Sequence, residues 1–550
     1  MENLLSTVKS VSQLIDDFEK GRIAVPEIQR DVVWKSDQVK QLIDSISNGF
    51  PCGSLILWEP REKDASFVKS LVRPERLEKF SNALPRYFLL DGQQRLTALS
   101  SVILKRDFLK DLLNELEEDM PFIYINLKKF PNEIEATEAP AGYNFPWVLY
   151  NSLFDGSLNN SAEYPKLDDG KKKKIERYVQ NIRDYIFPVQ IIRDQNYSTV
   201  AEIFTRVNSQ GTPLTGAEIH LAKIVPHWQG ITKEFRDYRK ELKEKYYELD
   251  LTFLMRVITA IECNVPQIKK LSEKIDKDKT SKASLNRTWK KVKISTNKLI
   301  RILKNELHLD KSKYVISKNT LVPLVYYIAS EKKSAAINSI KKFFLLAQLS
   351  EHYGGSADST LRKDFKVLVE ASKPRFGLLE LVNNLNRETR QYYRGLKIRG
   401  TDIGGIPSKN VLLLLMYILM RKKDATDWGS ARTPLDDIEP KNIQLHHIFP
   451  FDLMIKDRNA WKRSEDEGYS LAEYRAEVND IANITFLSSS TNASLSNIPP
   501  SQYLFNETTR DMRKAHFIPE DKELWKTENF IYFLSERRTL IAKAITKFLR

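Results

Sequence analysis

Cysteine is nearly absent from this chain of 550 residues: Cys52 and Cys263 are the whole complement. Two thiols build neither a disulfide framework nor a cysteine-rich zinc module, and such usage fits a reducing cytoplasm. Glycine (19) and proline (23) are also sparse, which excludes collagen-like and linker-dominated architectures. Long apolar runs are missing too. The most apolar one, Val411–Met420 (VLLLLMYILM), has ten residues where a bilayer needs about twenty, so it reads as a buried core helix. The segment MENLLSTVKSVSQL lacks an apolar core behind a basic start, so no secretion signal and no membrane partner are expected. Positive charge is what the chain has in excess. Against 72 Asp+Glu stand 87 Lys+Arg, a formal +15 on a chain that is 41% apolar and 29% charged. That balance describes a basic globular protein with a polyanionic partner, and the length suggests about three or four domains.

The first 230 residues alternate short apolar runs with helical ones. Leu55–Trp58, Tyr87–Leu90, 122–127 and 187–192 read as strands; 37–48, 93–117 and 198–207 read as helices. From about 228 to 425 the pattern is almost wholly helical, with no fixed-period repeat. Within it, residues 269–304 hold thirteen Lys/Arg and three Asp/Glu. A charge run is usually a solvated helix face. Two-thirds of the net charge in one short segment makes a contact surface for nucleic-acid backbone, through Lys290, Lys291 and Lys293, at least as good a reading. The last 110 residues change again: a strand-like segment, a helical insertion, a β-like run, a Ser/Thr/Asn-rich turn and terminal helices. The expected fold is therefore α+β and multidomain, divided at 1–228, 229–425 and 426–550.

Two of the seven histidines are adjacent, in Gln444-Leu445-His446-His447-Ile448-Phe449-Pro450. Neighbours on a strand point to opposite faces, so one imidazole can ligate a metal while the other faces substrate. Asn483 follows in NDIANITFL, and then Ser488–Thr491 can cap a helix that carries Asn492 in its first turn. Strand, strand and helix with His-His, Asn and Asn in that order is the layout of a ββα-metal (HNH) nuclease site. Phosphodiester hydrolysis needs an activated water, a cation for the leaving oxygen and a group that orients the base. In that layout His447 is the general base, Asn483 orients it, and His446 and Asn492 are metal ligands. Nitrogen and oxygen donors suit Mg²⁺ or Mn²⁺. His-His alone would be an accident; LHHIFP, NDIANITFL and TNASLSN in order favour the site. His516 is a rival ligand, set apart by its distance from the compact motif.

Near the other end, Leu89-Leu90-Asp91-Gly92-Gln93-Gln94-Arg95 joins an apolar strand to a helix. Gly92 permits a tight turn, the helix start offers N–H groups to phosphate, Arg95 adds a planar fork, and Asp91 can approach a phosphate-bound cation. Arg30, in PEIQR, and the segment IFTRVNSQG with Asn208 are further candidates. The bland reading is a plain strand–helix junction whose arginine forms a salt bridge. It is not a Walker A loop, since GxxxxGK[ST] is absent.

Together, PEIQRDVVW, PCGSLILWE, LLDGQQRLTAL and IFTRVNSQGTPLT resemble the N-terminal half of GmrSD-type type IV restriction endonucleases, and residues 430–515 resemble their HNH half. The resemblance implies a ParB/sulfiredoxin-like α/β domain, an all-helical middle and an HNH nuclease embedded in helices. It implies a nucleotide site lined by Asp91, Gly92, Gln93, Gln94 and Arg95, with Arg30 and Asn208 nearby. It implies a nucleoside triphosphate (GTP, UTP or CTP ahead of ATP), Mg²⁺ or Mn²⁺, modified phage DNA as substrate, and a homodimer or a partner defence protein. Phosphorothioate-sensing relatives carry an aromatic residue where this chain has Ile28, which points away from that modification. The expected activity is NTP-regulated DNA cleavage in anti-phage restriction. The alternatives are a nucleotide-dependent DNA sensor with a vestigial nuclease, and an RNA-directed HNH nuclease.

Overall fold

The computed structural model describes residues 4–24, 34, 36–61, 85–104, 123–130, 136–137, 147–160, 164–195, 197–208, 215–228, 230–277, 279–331, 336–392, 396–404 and 411–549. The chain divides into two compact units, residues 1–234 and 235–550. The second unit holds both the helical middle and the C-terminal segment with the paired histidines.

The first unit is built on a mixed five-stranded sheet. Its strands are β1 (Leu4–Ser10), β2 (Ile23–Ala24), β3 (Leu55–Trp58), β4 (Tyr87–Asp91) and β8 (Ile186–Ile192), in the order β1-β8-β3-β4-β2. A smaller sheet pairs β5 (Tyr124–Asn126) with β6 (Ala136–Thr137) and β7 (Trp147–Leu149). The central strands β3 and β4 are near-continuous apolar runs because both faces are covered, and Leu57, Phe88 and Leu89 are fully buried. β1 is an edge strand paired with β8 alone, and it leaves Leu4, Leu5 and Val8 exposed. It is absent from the strands read in the sequence because its apolar residues are not the buried ones. Helix Val11–Glu19 follows through a Ser10/Gln13 capping box and packs Leu14 and Phe18 into the core. Helix Gln93–Ile103 ends where Leu104 turns extended, earlier than the 93–117 periodicity suggests, and residues 105–122 lie outside the described ones.

In the second unit the helical reading of the middle region holds closely, with helices Leu251–Cys263, Lys282–Leu307, Leu321–Ser330, Ile337–Leu349 and Val411–Arg421. Every residue of Val411–Arg421 is buried, and no helix among the described residues is long and apolar enough to cross a membrane. Glu262 ties the base of the basic region together. Its carboxylate accepts from Lys274 Nζ (2.8 Å), Thr280 Oγ1 (2.8 Å), Ser284 Oγ (3.2 Å) and Thr288 Oγ1 (2.6 Å). These bonds fix helix Lys282–Leu307 with Lys290 and Lys291 exposed, while Lys293 is half-buried. Trp289, between them, packs inward on Phe235 and Tyr238.

Strands β9 (Ile443–His447) and β10 (Ile484–Ser488) pair antiparallel, with Ile484 opposite His447 and Thr485 opposite His446. Helix Ser489–Leu495 begins directly after β10, capped by Ser488, whose hydroxyl accepts from Thr491 N–H. Between the strands the chain makes helices Phe451–Lys456, Arg458–Asp466 and Leu471–Val478. A core of Trp428, Phe449, Tyr474, Trp525 and Phe530 supports the hairpin.

Candidate active site

Strand alternation sends the two histidines to different surroundings, as their spacing requires. His446 is 2% exposed and sits edge-on to Trp428. Its Nδ1 lies 2.8 Å from Asn492 Oδ1, an oxygen that can only accept, so Nδ1 carries the proton. The amide of Asn492 also donates to Gln444 Oε1 at 2.9 Å, so one side chain bridges two residues of the same face of β9. His446 Nε2 is 3.5 Å from the Tyr503 hydroxyl, whose hydrogen goes to the Ile448 carbonyl at 2.7 Å. Burial, opposed by the Asn492 contact, lowers the His446 pKa to about 4, so the ring is neutral at pH 7.

His447 is half-buried. Its Nε2 donates to Asn479 Oδ1 at 3.2 Å, which leaves Nδ1 as the nitrogen with the lone pair. Burial lowers its pKa as well, against the opposing Asn479 contact, so its basic form is the resting one.

The role given to Asn483 needs correcting. Its amide does not reach the His447 ring. It is 0% exposed, donates to the carbonyls of Phe449 and Val478 (2.9 Å each) and accepts from Phe449 N–H (2.9 Å). Its backbone carbonyl takes Ile448 N–H at 2.8 Å. Asn483 thus pins the chain immediately after His447 through its backbone partners, and Asn479 makes the side-chain contact to the ring. His516, the rival ligand, is a satisfied core residue: it lies 2.7 Å from Thr485 Oγ1 and 2.8 Å from the Thr426 carbonyl.

Three supporting residues escaped sequence reasoning. Asp427 accepts from Ser488 N–H (2.9 Å), Ser488 Oγ (2.8 Å) and Thr491 Oγ1 (2.5 Å), so it locks the junction from β10 into the helix that carries Asn492. Tyr503 backs His446. Arg537, wholly buried on the terminal helix Phe530–Leu549, donates to the carbonyls of Ala482 (2.6 Å) and His516 (3.1 Å). None stands in a motif.

In the first unit, Asp91 ends β4 and Gly92 turns into helix Gln93–Ile103 at φ +94°, with no side chain capping the first turn. A Cβ on Gly92 would meet Leu55 Cδ2 at 2.0 Å. Arg95 donates to Asp91 Oδ2 (3.0 Å) and to the Cys52 carbonyl (2.8 Å), and Gln94 Oε1 accepts from Trp34 N–H (3.2 Å). The salt bridge of the bland reading is therefore present. Gly53, at φ +79°, leaves room for the Arg95 guanidinium, which a Cβ there would meet at 2.5 Å. Helix Tyr197–Asn208, which holds the start of the fourth motif, packs near β4. The side chain of Asn208, and Arg30 altogether, lie outside the described residues.

Residues 11–225 match the family model described as the GmrSD restriction endonuclease, N-terminal domain. The similarity to that domain lies within the first unit. The match begins in helix Val11–Glu19 and spans the turn at Gly92 as well as helix Tyr197–Asn208. An uncharacterized protein of Methanocaldococcus jannaschii is 22% identical over 96% of this chain and 92% of its own length. That similarity runs well beyond the GmrSD segment and through the β9–β10 hairpin.

Proposed function

We propose that this protein is a divalent-metal-dependent DNA endonuclease of the restriction type, gated by a nucleoside triphosphate held at the DGQQR turn. The observation that carries the reading is the His446–Asn492 pair beside His447 on one strand–strand–helix frame. Two cis ligands of an octahedral ion at about 2.1 Å lie about 3 Å apart. The 2.8 Å between His446 Nδ1 and Asn492 Oδ1 fits that edge. Both donors are neutral, and no cluster of three His, Cys, Asp or Glu stands among the described residues. The site therefore suits a weakly held Mg²⁺ or Mn²⁺ that keeps water and substrate phosphate as its other ligands, and it does not suit structural zinc.

His446 and Asn492 would hold the ion. Such an ion neutralises charge on the phosphate and on the leaving oxygen. To offer Nδ1, His446 must carry its proton on Nε2, and the Tyr503 oxygen, already donating to Ile448, is the acceptor facing that nitrogen. His447 accepts the proton of the attacking water on Nδ1, while Asn479 keeps the ring from turning. Asn483 holds the segment that carries both. The exposed Lys290 and Lys291, with Lys293, supply backbone contacts, and Asp91 to Arg95, with Arg30 and Asn208, form the nucleotide site.

Nicking assays with Mg²⁺ or Mn²⁺ test the reading, on unmodified, glucosylated-hydroxymethylcytosine and phosphorothioate DNA, with and without each NTP. His447→Ala is expected to lose about 10²–10⁴-fold in rate. A wild type that nicks nothing, indistinguishable from His447→Ala, would sink the proposal.

A further inference from the structure

The second unit contains a pocket of about 580 Å³ lined by Lys243, Lys311, Lys313, Lys318 and Lys441, with Glu248 as the single carboxylate in its wall. Its volume is that of a small-ligand site, and its charge is strongly one-sided. Among the described residues, no carboxylate lies within ion-pair distance of Lys243, Lys313 or Lys318; Lys441 alone pairs, with Glu439 at 2.9 Å. Lys311 forms the inner wall. It is 4% exposed, donates to the Pro440 carbonyl (2.7 Å) and lies over the rings of Tyr314 and Tyr417. Like charges that share one pocket repel one another: burial drives the Lys311 pKa down to about 8 against the attraction of Asp310, and Lys313 adds to the fall. An arrangement of that kind is relieved by a bound anion with several oxygens.

The position narrows the choice. Ile443, in the pocket wall, is the first residue of β9, and His446 lies three residues along the same strand, about 10 Å away. At a rise of about 3.4 Å per nucleotide that is roughly three nucleotides of one strand.

We propose that this lysine pocket binds phosphate groups, those of the nucleic-acid strand that runs on to His447. The inference rests on the nuclease reading of that site and names a contact the motifs do not contain.

The test is equilibrium binding by the full-length protein in EDTA, read by fluorescence anisotropy with a labelled duplex and a labelled single strand. Lys313→Glu/Lys318→Glu is the main variant and Lys313→Gln/Lys318→Gln the milder one; both sites reach solvent, and circular dichroism reports the fold. The Glu pair is expected to weaken DNA binding about tenfold or more at moderate salt and to flatten the log K against log salt slope by about two. A second arm uses inorganic pyrophosphate, which should raise the melting temperature of wild type more than that of either variant. Unchanged DNA affinity with loss of the pyrophosphate effect would assign the pocket to a free polyphosphate or nucleotide. Wild-type behaviour of both variants in both arms would overturn the proposal. Because binding is read without metal, a protein that bound DNA here yet cut nothing once Mg²⁺ or Mn²⁺ was supplied would uphold the pocket and refute the nuclease reading. Cleavage with the pocket variants unaffected would do the reverse.

Discussion

Removing the amide of Asn483 should cost more than any single-residue effect expected from a solvent-facing motif residue. Three hydrogen bonds of 2.9 Å end on this side chain, all to backbone and all buried. At about 1 kcal/mol net each, plus a share of the penalty for the Phe449 and Val478 groups left unpaired, Asn483→Ala should lose about 3–5 kcal/mol. The unit spanning residues 235–550 unfolds with an entropy of about 0.66 kcal/mol/K, from roughly 2.1 cal/mol/K per residue. Its transition should therefore fall by about 5–8 °C. Asn483→Asp sharpens the test. The carboxylate can still accept from Phe449 N–H, but it cannot donate and would face two carbonyl oxygens, so the near-isostere should be at least as damaging as alanine. Calorimetry of the full chain reads the shift, and nicking well below the transition should fall too, because His447 sits on the segment that is released. If both variants melted within about 1 °C of wild type, the role assigned to Asn483 would be wrong.

Gly92→Ala combines a left-handed backbone with a Cβ 2.0 Å from Leu55 Cδ2, so it should destabilise the first unit by about 2 kcal/mol or more, seen in its melting transition and partly rescued by Leu55→Ala. Lys311 titrates near 8 in the fold against 10.5 when unfolded, so the unfolded chain binds more protons between those values and stability should rise with pH across that window. The rise worked from this gap is about 3 kcal/mol, complete by about pH 10.5; denaturant melts of wild type against Lys311→Met, from pH 7 to 10.5, should show it in wild type only. The charged groups facing Lys311 are Asp310, Lys313 and Arg421, and Arg421 stays charged throughout; the phenols of Tyr314 and Tyr417 beneath it are held neutral by burial.

Much of the fold was legible because burial and periodicity coincide. Leu55–Trp58 is a continuous apolar run because β3 is covered on both faces, and Val411–Met420 is apolar all round because every residue is buried. β1 shows the converse. Its Leu4 and Val8 face solvent and its pairing with β8 spans about 180 residues, so nothing local marks it as a strand. The basic run was legible as charge. That Trp289 turns inward while Lys290 and Lys291 face out is set by Phe235, Tyr238 and the Glu262 network, which no short window contains.

The candidate site divides along the same line. His446, His447 and Asn492 are polar residues set into apolar strands and a serine-capped turn, so their pattern is visible locally. What fixes their protonation and aim is not. Asp427 reaches Ser488 across 61 residues and Tyr503 reaches Ile448 across 55, each from a stretch whose own sequence announces nothing. Asn483 is the instructive case, since its place in the motif was readable while its partners were not. A buried amide takes whichever backbone groups the loop leaves unpaired, and here those belong to Phe449 and Val478. The amide of Asn483 therefore acts on His447 only through the backbone, and Asn479, the first residue of the same NDIANITFL run, is the one whose side chain touches the His447 ring. Asn479→Ala should then leave the fold intact and free the His447 ring, lowering the nicking rate with little change in melting temperature. Asn483→Ala should lower both, and equal melting losses in the two variants would refute this division of labour.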